Sequence, residues 1–443
     1  MRFPCGAYGR VAVFVVVCMV MIVGSVPRGA ECKHETENDD YSDVGDFSFM
    51  VIGDWGTGNE NQMRVARALR RLNKQSGYKY KMLLSTGDQF YPHGVSSTED
   101  EQFTSKFNAA FYPGGADEEE HGKAPPIFYP TMGNHDCEGS IASQVEYTKQ
   151  SEHWKMPSDY YVQDIPLPSA SSSSSSSEDS NGNDVLRLVV LNGCSLVCGP
   201  AESPTYDRDT GGNHRCKDIK DTGGDRVTQY EWARTVLFAE KASGDRNIRW
   251  KIVMGHWPVF SVMGNGPTYE LVRHLGENIM DRAGVDMYFS GHDHSLQHHQ
   301  PIPLRRSIGT GYVDYFVSGG GGYDLHNALK KSADGARKAT PAEKRKGQRF
   351  VSDLNIDYVD TKFARGVFGF MTVDIKGDEA NVSFYGLDDA DADESASASQ
   401  DVKLIYSTTM ISCQMSEERW AKRTAEIEAR ENAIGTSSSF SEL

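Results

Sequence analysis

Five short blocks of this sequence carry the kinds of side chain that bind metal ions in hydrolytic sites. Each block contains a glycine and directly follows an apolar run. The blocks together offer carboxylate, phenol, amide and imidazole groups, which are the oxygen and nitrogen donors that two metal ions need. The seven candidate ligands are Asp54, Asp88, Tyr91, Asn134, His256, His292 and His294. This set predicts a two-metal hydrolase site.

The apolar runs before the blocks have the length and the β-branched or aromatic content of buried strands. They cover residues 47–52, 82–86, 127–131, 250–254 and 285–290. Helical periodicity appears between them, as an alternating α/β fold requires, in residues 61–72, 99–108 and 229–241. Loops past the carboxyl ends of strands in such a fold converge on one crevice. We therefore expect all seven candidate ligands at one edge of an α/β sheet.

The ligand blocks span most of the chain, so we predict one catalytic domain over residues 47–387. A Ser-rich surface insertion interrupts it at residues 169–184. Three later segments are predicted to be strands of a second, mostly antiparallel layer: residues 315–318, 367–375 and 381–385. We assign residues 402–443 to a C-terminal extension that contains a charged helix.

The net charge of −16 is concentrated in two short stretches. Residues 31–46 and 388–401 are rich in Asp and Glu and are predicted to be a solvated linker and loop. No basic groove for DNA or RNA is visible in the sequence, so we expect no nucleic-acid partner.

The N-terminus predicts entry into a secretory compartment. Arg2 and Arg10 precede an apolar run at residues 11–23 and then small residues, a pattern typical of a signal peptide over residues 1–30. Membrane association is expected only if this segment stays uncleaved. We expect the chain itself to be secreted or lumenal, in an extracellular, lysosomal or vacuolar location. We also expect it to be a monomer.

Cysteines and one sequon agree with an oxidising compartment. We expect at least one disulfide among Cys194, Cys198 and Cys216, although their spacing does not decide which pair forms it. A zinc site there is less favoured. Asn381 heads a glycosylation sequon.

The five blocks, with a tyrosine ending the second, resemble the purple acid phosphatase family of metallophosphoesterases, specifically its small, single-domain, tartrate-resistant type. The resemblance covers about residues 47–385, and Tyr91 is what separates this family from other metallophosphoesterases. It implies a four-layer α/β/β/α sandwich of two mixed sheets flanked by helices. It also implies acid phosphatase activity on phosphate monoesters, with a metal-bound hydroxide as the nucleophile.

The resemblance further assigns ligands to two metals that share Asp88. It gives Fe(III) the ligands Asp54, Asp88, Tyr91 and His294. It gives a divalent Fe, Zn or Mn ion the ligands Asp88, Asn134, His256 and His292. Donor chemistry agrees, since phenolate and carboxylates suit a trivalent ion, whereas imidazoles and an amide suit a divalent one.

Three further residues are candidates for contact with substrate or for its support. His135 is expected to contact the phosphate or protonate the leaving oxygen, with Asp136 orienting its ring. Asn265 stands where the family pattern has a histidine, and an amide can hydrogen-bond a phosphate oxygen but cannot deliver a proton near neutral pH. Residues 319–322, all glycine, predict a tight turn at the edge of the site, because the Lys and Ser or Thr of a P-loop are missing.

Two other functions remain open. One is a phosphodiesterase or nucleotide pyrophosphatase on the same fold, which Tyr91 disfavours. The other is a non-catalytic scaffold that keeps the phosphatase fold, which the intact ligand set disfavours and Asn265 favours. Metal content discriminates the scaffold from the enzymes, because a scaffold needs no metal.

Overall fold

The computed structural model describes residues 46–114, 125–168, 184–199, 216–220, 222–301, 313–326, 359–387 and 402–414. The predicted signal peptide, most of the acidic linker, the Ser-rich insertion up to residue 183, the acidic loop at 388–401 and the charged C-terminal helix lie outside these ranges. Within the described ranges, no helix has both the length and the apolar character needed to cross a membrane.

Strands dominate the described residues, and helices connect them. The strands are β1 (Phe47–Ile52), β2 (Met82–Ser85), β3 (Ile127–Pro130), β4 (Tyr161–Pro166), β5 (Asp184–Val190), β6 (Lys241–Ala242), β7 (Arg246–Met254), β8 (Met287–Ser290), β9 (Leu296–Pro301), β10 (Asp314–Ser318), β11 (Val359–Arg365), β12 (Gly369–Lys376), β13 (Glu379–Leu387) and β14 (Val402–Ile411). The α-helices are α1 (Glu60–Gln75), α2 (Ala109–Phe111), α3 (Ile141–Tyr147), α4 (Arg226–Leu237) and α5 (Tyr269–Leu271). There are π-helical turns at Phe103–Asn108, directly before α2, at Cys194–Cys198, and at Val272–Met280, directly after α5. Turns of 3₁₀ helix cover Asp136–Glu138 and Cys216–Asp218.

The strands form two mixed sheets. The first has the order β14-β13-β12-β1-β2-β3, and the second has the order β11-β9-β10-β8-β7-β5-β4 with β6 paired to β7. Strands β1, β2 and β3 are parallel to one another, as are β5, β7, β8 and β10. Buried aromatic rings join the two sheets, for example Phe49 of the first with Phe289 of the second, whose centroids are 6.2 Å apart. The predicted fold of two mixed sheets with flanking helices is confirmed.

The strand and helix predictions near the ligand blocks are confirmed to within a few residues, but the predicted second layer is wrong. Of the three later segments, β10 joins the second sheet parallel to β8, whereas β12 and β13 join the first sheet beside β1. Strand β14 pairs with β13, so the first sheet continues beyond the predicted domain end at residue 387. Strand pairing depends on contacts far apart in sequence, which local periodicity does not contain.

An aromatic cluster supports the first sheet directly behind the ligand loops. Trp55 follows the candidate ligand Asp54, is fully buried, and donates its indole N–H to Ser85 Oγ at 2.9 Å. Its ring packs edge-on against Phe111 at 5.0 Å and against Phe128 at 6.1 Å. Close packing of this kind permits little displacement, so the backbone that carries Asp54 is held rigidly.

Candidate metal centre

The backbone turns sharply at three of the candidate ligands. Asp54, Asp88 and His292 have φ angles of 57°, 53° and 66°, in the left-handed region that side chains other than glycine seldom adopt. Each follows a glycine just past a strand of one of the two sheets. Asp and His tolerate this conformation better than most residues, and such strain collects at functional sites. The local fold thus aims these side chains into the crevice at some energetic cost.

Four of the candidate ligands form one group around the Tyr91 hydroxyl. That oxygen lies 3.2 Å from Asp54 Oδ1, 3.0 Å from Asp88 Oδ2 and 3.5 Å from His294 Nε2. His294 Nε2 is in turn 3.6 Å from Asp54 Oδ1. All four side chains are buried or nearly so. The donor atoms of Asp54, Asp88, Tyr91 and His294 therefore surround one small volume.

A second group forms around Asn134 and shares one carboxylate with the first. Asn134 Oδ1 lies 3.2 Å from His256 Nε2 and 3.0 Å from His292 Nδ1, and these two imidazole nitrogens are 3.3 Å apart. His256 Nε2 is 3.4 Å from Asp88 Oδ2, the oxygen that also approaches Tyr91. All seven predicted ligands thus meet, in two overlapping groups joined at Asp88.

Main-chain carbonyls fix the orientation of two ligand imidazoles. His256 Nδ1 lies 2.8 Å from the Thr86 carbonyl oxygen, and His294 Nδ1 lies 2.6 Å from the Asp324 carbonyl oxygen. A carbonyl accepts but cannot donate, so both Nδ1 atoms carry the proton and both Nε2 atoms offer a lone pair. Metal-binding histidines are commonly held this way.

The electrostatics of the cluster favour a bound cation. Burial, reinforced by the neighbouring Asp88 carboxylate, raises the pKa of Asp54 well above its usual value. Burial and the same carboxylate likewise raise the pKa of the Tyr91 phenol. Buried acidic groups that crowd one another in this way ionise readily only beside a compensating positive charge. Asp54, Asp88 and His256 also bring one ligand atom each within 4.8 Å of the others.

Two glycines let the ligand carboxylates approach the facing backbone. A Cβ at Gly133 would stand 2.1 Å from Asp88 Oδ1, and one at Gly291 would stand 2.4 Å from Asp54 Oδ2. Any side chain at these positions would displace a ligand. The donor types, their convergence and these close approaches fit a pair of metal ions.

His135 lies at the rim of the cluster, but Asp136 does not orient it as predicted. The His135 Nδ1 atom donates to the Pro92 carbonyl at 2.5 Å, and Glu138 Oε1 lies 3.8 Å from the same nitrogen. Asp136 instead accepts from the main-chain N–H groups of Gln89 at 3.1 Å and Gly133 at 2.9 Å. It therefore ties two ligand loops together. Sequence adjacency suggested a ring contact, but the 3₁₀ turn directs the two side chains to different partners.

Asn265 lies beside the second metal group. Its main-chain N–H donates to Asp293 Oδ1 at 2.7 Å, and its side-chain Nδ2 donates to the His292 carbonyl at 3.4 Å. Asp293, between two candidate ligands, is fully buried and so is not a surface residue. Asn265 is thus close enough to support the His292 loop.

Two residues at this site had no clear signal in the sequence. The Tyr323 ring stacks on Tyr91 at 4.3 Å between centroids, and the His326 ring stacks on His294 at 4.1 Å. Both follow the glycine run, which forms the predicted turn at the edge of the site: Gly321 N–H donates to the Gly53 carbonyl at 3.0 Å. Only that run, directly after a predicted strand, marked the segment as close to the ligands.

The disulfide prediction is confirmed, and a second bridge lies close to the metal cluster. Cys198 pairs with Cys216, as one of the expected possibilities, and Cys137 pairs with Cys194. Cys137 follows Asp136, so this second bridge joins the loop after β3 of the first sheet to the loop after β5 of the second. The sequon residue Asn381 is exposed on β13, where its side-chain oxygen accepts from the Ser383 hydroxyl at 2.9 Å.

The chain is similar in sequence to known phosphoesterases and acid phosphatases. The family model described as calcineurin-like phosphoesterase matches residues 47–296. Tartrate-resistant acid phosphatase type 5 of Oryctolagus cuniculus is 30% identical over 281 residues, which cover 62% of this chain and 73% of that relative. Purple acid phosphatase 4 of Arabidopsis thaliana is 25% identical over 389 residues, which cover 86% of this chain and 91% of that relative.

A solved structure extends the likeness of fold. GAP50, the anchor in the inner membrane complex of Plasmodium, superposes on this chain with a TM-score of 0.56 at 16% sequence identity. The match covers 86% of this chain and 95% of that one. At this identity the similarity concerns the fold alone.

Proposed function

Because the chain belongs to the calcineurin-like phosphoesterase family and, within it, to the purple acid phosphatases, we propose that it is an acid phosphatase that releases phosphate from phosphate monoesters with two metal ions. The observation that carries this proposal is the meeting of seven donor side chains in two groups that share Asp88. A single metal would need only one of the groups.

The donor chemistry supports a different ion in each group. We assign Fe(III) to Asp54, Asp88, Tyr91 and His294, where hard anionic oxygens prevail. We assign a divalent Fe, Zn or Mn ion to Asp88, Asn134, His256 and His292, where imidazole and amide donors prevail. Such a pair would acidify a water molecule for attack on phosphorus and would neutralise charge on the phosphoryl oxygens.

The chain's own residues orient the ligands and receive the substrate. The Thr86 and Asp324 carbonyls hold His256 and His294 in the tautomer that binds metal. His135 is the candidate to contact the phosphate or protonate the leaving oxygen, since its Nδ1 donates to the Pro92 carbonyl and a protonated Nε2 could donate to an oxygen of the substrate. Asn265 is the candidate to donate a hydrogen bond to a phosphate oxygen.

The test combines metal analysis with p-nitrophenyl phosphate hydrolysis between pH 4 and 8. We expect two metal ions per chain, including iron, and activity that is highest at acid pH. Asp88→Ala should lose the bound metal and the activity, because Asp88 belongs to both ligand groups. The matched control is Asp360→Ala, which removes an exposed carboxylate from β11 and should keep full activity. Natural protein that holds no metal and shows no hydrolysis after reconstitution would reject the proposal.

Substrate class requires a second substrate in the same assay. We expect bis(p-nitrophenyl) phosphate to be hydrolysed far more slowly than the monoester. Faster hydrolysis of the diester, with the metals present, would replace the monoesterase with a phosphodiesterase.

A scaffold function is the second candidate, and Asn265 favours it. A chain that no longer turns over substrate can tolerate an amide where the family pattern has a proton donor. The fold likeness to GAP50, an anchor protein, is compatible with this alternative. Metal content decides between them, because a scaffold has no use for bound iron.

We also propose that the protein works in a secreted or lumenal compartment. The two disulfides support this, since such bridges persist in oxidising compartments. N-terminal sequencing of the mature protein tests the predicted removal of residues 1–30.

A further inference from the structure

Residues 321–326, which begin within the glycine run after β10, lie against one side of the metal cluster, and we call them the covering segment. Gly321 N–H donates to the Gly53 carbonyl at 3.0 Å, and a Cβ at Gly321 would stand only 2.2 Å from that carbonyl oxygen. Glycine therefore permits this close approach. Two residues later, Tyr323 N–H donates to the Asp54 carbonyl at 3.2 Å. The covering segment is thus fixed against the loop that carries the first candidate ligand.

The covering segment holds His294 by its main chain, its ring nitrogen and its ring face. His294 Nδ1 donates to the Asp324 carbonyl at 2.6 Å, and the His294 carbonyl accepts from the His326 N–H at 2.9 Å. The His294 N–H donates in return to His326 Nδ1 at 3.1 Å, and the two rings stack with their centroids 4.1 Å apart. This ligand has little freedom to turn away from the cluster.

Tyr323 holds a second ligand in a similar way. Its ring stacks on the Tyr91 ring at 4.3 Å between centroids, with 27° between the ring planes, and it is tilted against the His294 ring at 4.9 Å. Tyr91 is 3% exposed and His294 is 7% exposed. Tyr323 is only partly buried, and 25% of the His326 side chain is exposed. These two outer rings are therefore placed to shield the two ligands from solvent.

The contacts of the covering segment favour one of the two ligand groups. Asp54, Tyr91 and His294, which it touches, are three of the four ligands assigned to the first metal ion. In the second group, His256 takes its support from a different part of the chain, because its Nδ1 atom lies 2.8 Å from the Thr86 carbonyl in the loop after β2. Loss of the covering rings should therefore affect the two metals unequally.

We propose that Tyr323 and His326 are positioning residues that retain the first metal ion by keeping Tyr91 and His294 in their binding positions. This role depends on the two-metal assignment proposed above. A metal ion leaves a site when its ligands rotate away, and closely packed rings block the other rotamers that those ligands would adopt. Side chains that support metal ligands commonly contribute about 10–100-fold to metal affinity.

The test measures how fast each metal leaves the protein. The natural chain and Tyr323→Ala are loaded with Fe(III) and Zn(II) and placed in excess EDTA, and elemental analysis follows both metals over time. Tyr323→Ala should speed the loss of iron by about tenfold or more and should change the initial rate of zinc loss less than twofold. The visible absorption of a phenolate bound to Fe(III) should fade at the same rate as the iron. Tyr323→Phe, which keeps the ring, should behave as the natural chain does.

A second variant tests the other covering ring. His326→Ala should also speed the loss of iron, because it removes both the stacked ring and the acceptor for the His294 N–H. Its effect should be less selective than that of Tyr323→Ala, since His326 Nδ1 also lies 3.4 Å from Asp293 Oδ1, next to a ligand of the second group.

The matched control is Tyr112→Ala. Tyr112 is also partly buried, and its ring stacks on His153 at 4.0 Å between centroids. Its hydroxyl donates to the Pro126 carbonyl, at the other end of β3 from Asn134. Tyr112→Ala should leave both rates of metal loss unchanged within about twofold, and Tyr323→Leu replaces Tyr323→Ala if the latter fails to fold.

Three outcomes would overturn the proposal. They are equal iron loss in Tyr323→Ala and the natural chain, equal acceleration of both metals in Tyr323→Ala, and an equal effect of Tyr112→Ala. The second outcome would indicate that the ring only stabilises the fold. A natural chain that takes up no iron would be a different failure, because it would reject the two-metal assignment itself and this role with it.

Discussion

Two sets of buried histidines approach within four positions of each other in this chain, at His294 and His298, yet their surroundings differ. His256, His292 and His294 bring ring nitrogens towards one another and towards Asp54, Asp88 and Asn134. His298 and His299, on β9, are equally buried, but each ring nitrogen has its own hydrogen-bond partner. His298 bonds to Asp314 at 2.5 Å and Tyr406 at 2.8 Å, and His299 bonds to Thr361 and Gln297 at 3.0 Å each.

The difference shows what distinguishes a metal site from a polar core. Residue type and burial are the same in both sets, so neither identifies the ligands. The distinguishing feature is convergence of several donor atoms on one volume. His298 and His299 are fully buried within the second sheet.

The largest expected effect comes from exchanging one histidine in each set. His292→Asn should lower the metal content by about one ion and kcat by about a thousandfold, because one metal supplies several kcal/mol to the reaction. His298→Asn should keep both metals and most of the activity while lowering the free energy of unfolding by about 1–3 kcal/mol. Metal analysis, steady-state kinetics and urea unfolding measure the two variants, and metal loss in His298→Asn would contradict the comparison.

A smaller effect is expected for a histidine at the rim of the metal cluster. His135→Gln should lower kcat by about a hundredfold, within the usual range for a group that contacts the reacting phosphate. The metal content should stay at the natural value, because no ligand is removed. If the variant instead loses metal, His135 belongs with the ligands and its proposed contact with substrate is wrong.

The polar core should respond to acid through His299. Burial lowers the pKa of His299 to about 3, whereas the unfolded chain takes up its proton near pH 6.5. The unfolded state therefore binds more protons between these values, and stability falls as the pH drops below 6.5. By pH 5 the loss should be about 2 kcal/mol. Urea unfolding measures how much the free energy of unfolding falls between pH 7 and pH 5. This fall should be smaller in His299→Gln than in the natural chain, and an equal fall would contradict this account.

The smallest expected effect concerns Asn265. Restoring the family residue with Asn265→His should raise kcat severalfold for alkyl phosphates, whose leaving groups need a proton, and should leave aryl phosphates nearly unchanged. Parallel kinetics with both classes measure the ratio. A gain of equal size for both classes would mean that the residue acts on ligand geometry rather than on the leaving group.

Much of the site could be predicted because its signals are local. Each ligand follows a glycine and an apolar strand, and both features occur within a few residues of the ligand itself. The first strand, Phe47–Ile52, was predicted with its observed bounds. The resemblance to purple acid phosphatases then divided the seven donors into the two groups that the structure brings together, and their chemical types agree with that division.

The features that could not be predicted depend on contacts between residues that are distant in sequence. Nothing near Cys137 indicates that it pairs with Cys194, 57 residues later. Strand β12 lies next to β1 although more than 300 residues separate Phe47 from its partner Ile375. Tyr323 and His326 reach the ligands only because the glycine run folds back onto Gly53. Local periodicity contains none of this information.

The left-handed backbone at Asp54, Asp88 and His292 also restricts how this protein can evolve. Few residues accept such φ angles, and glycine, asparagine, aspartate and histidine are foremost among them. A descendant that abandoned catalysis would therefore keep its fold most easily by drifting to Gly or Asn at these positions. Inactive lineages should carry that pattern, whereas β-branched residues should be almost absent there even after the metals are gone.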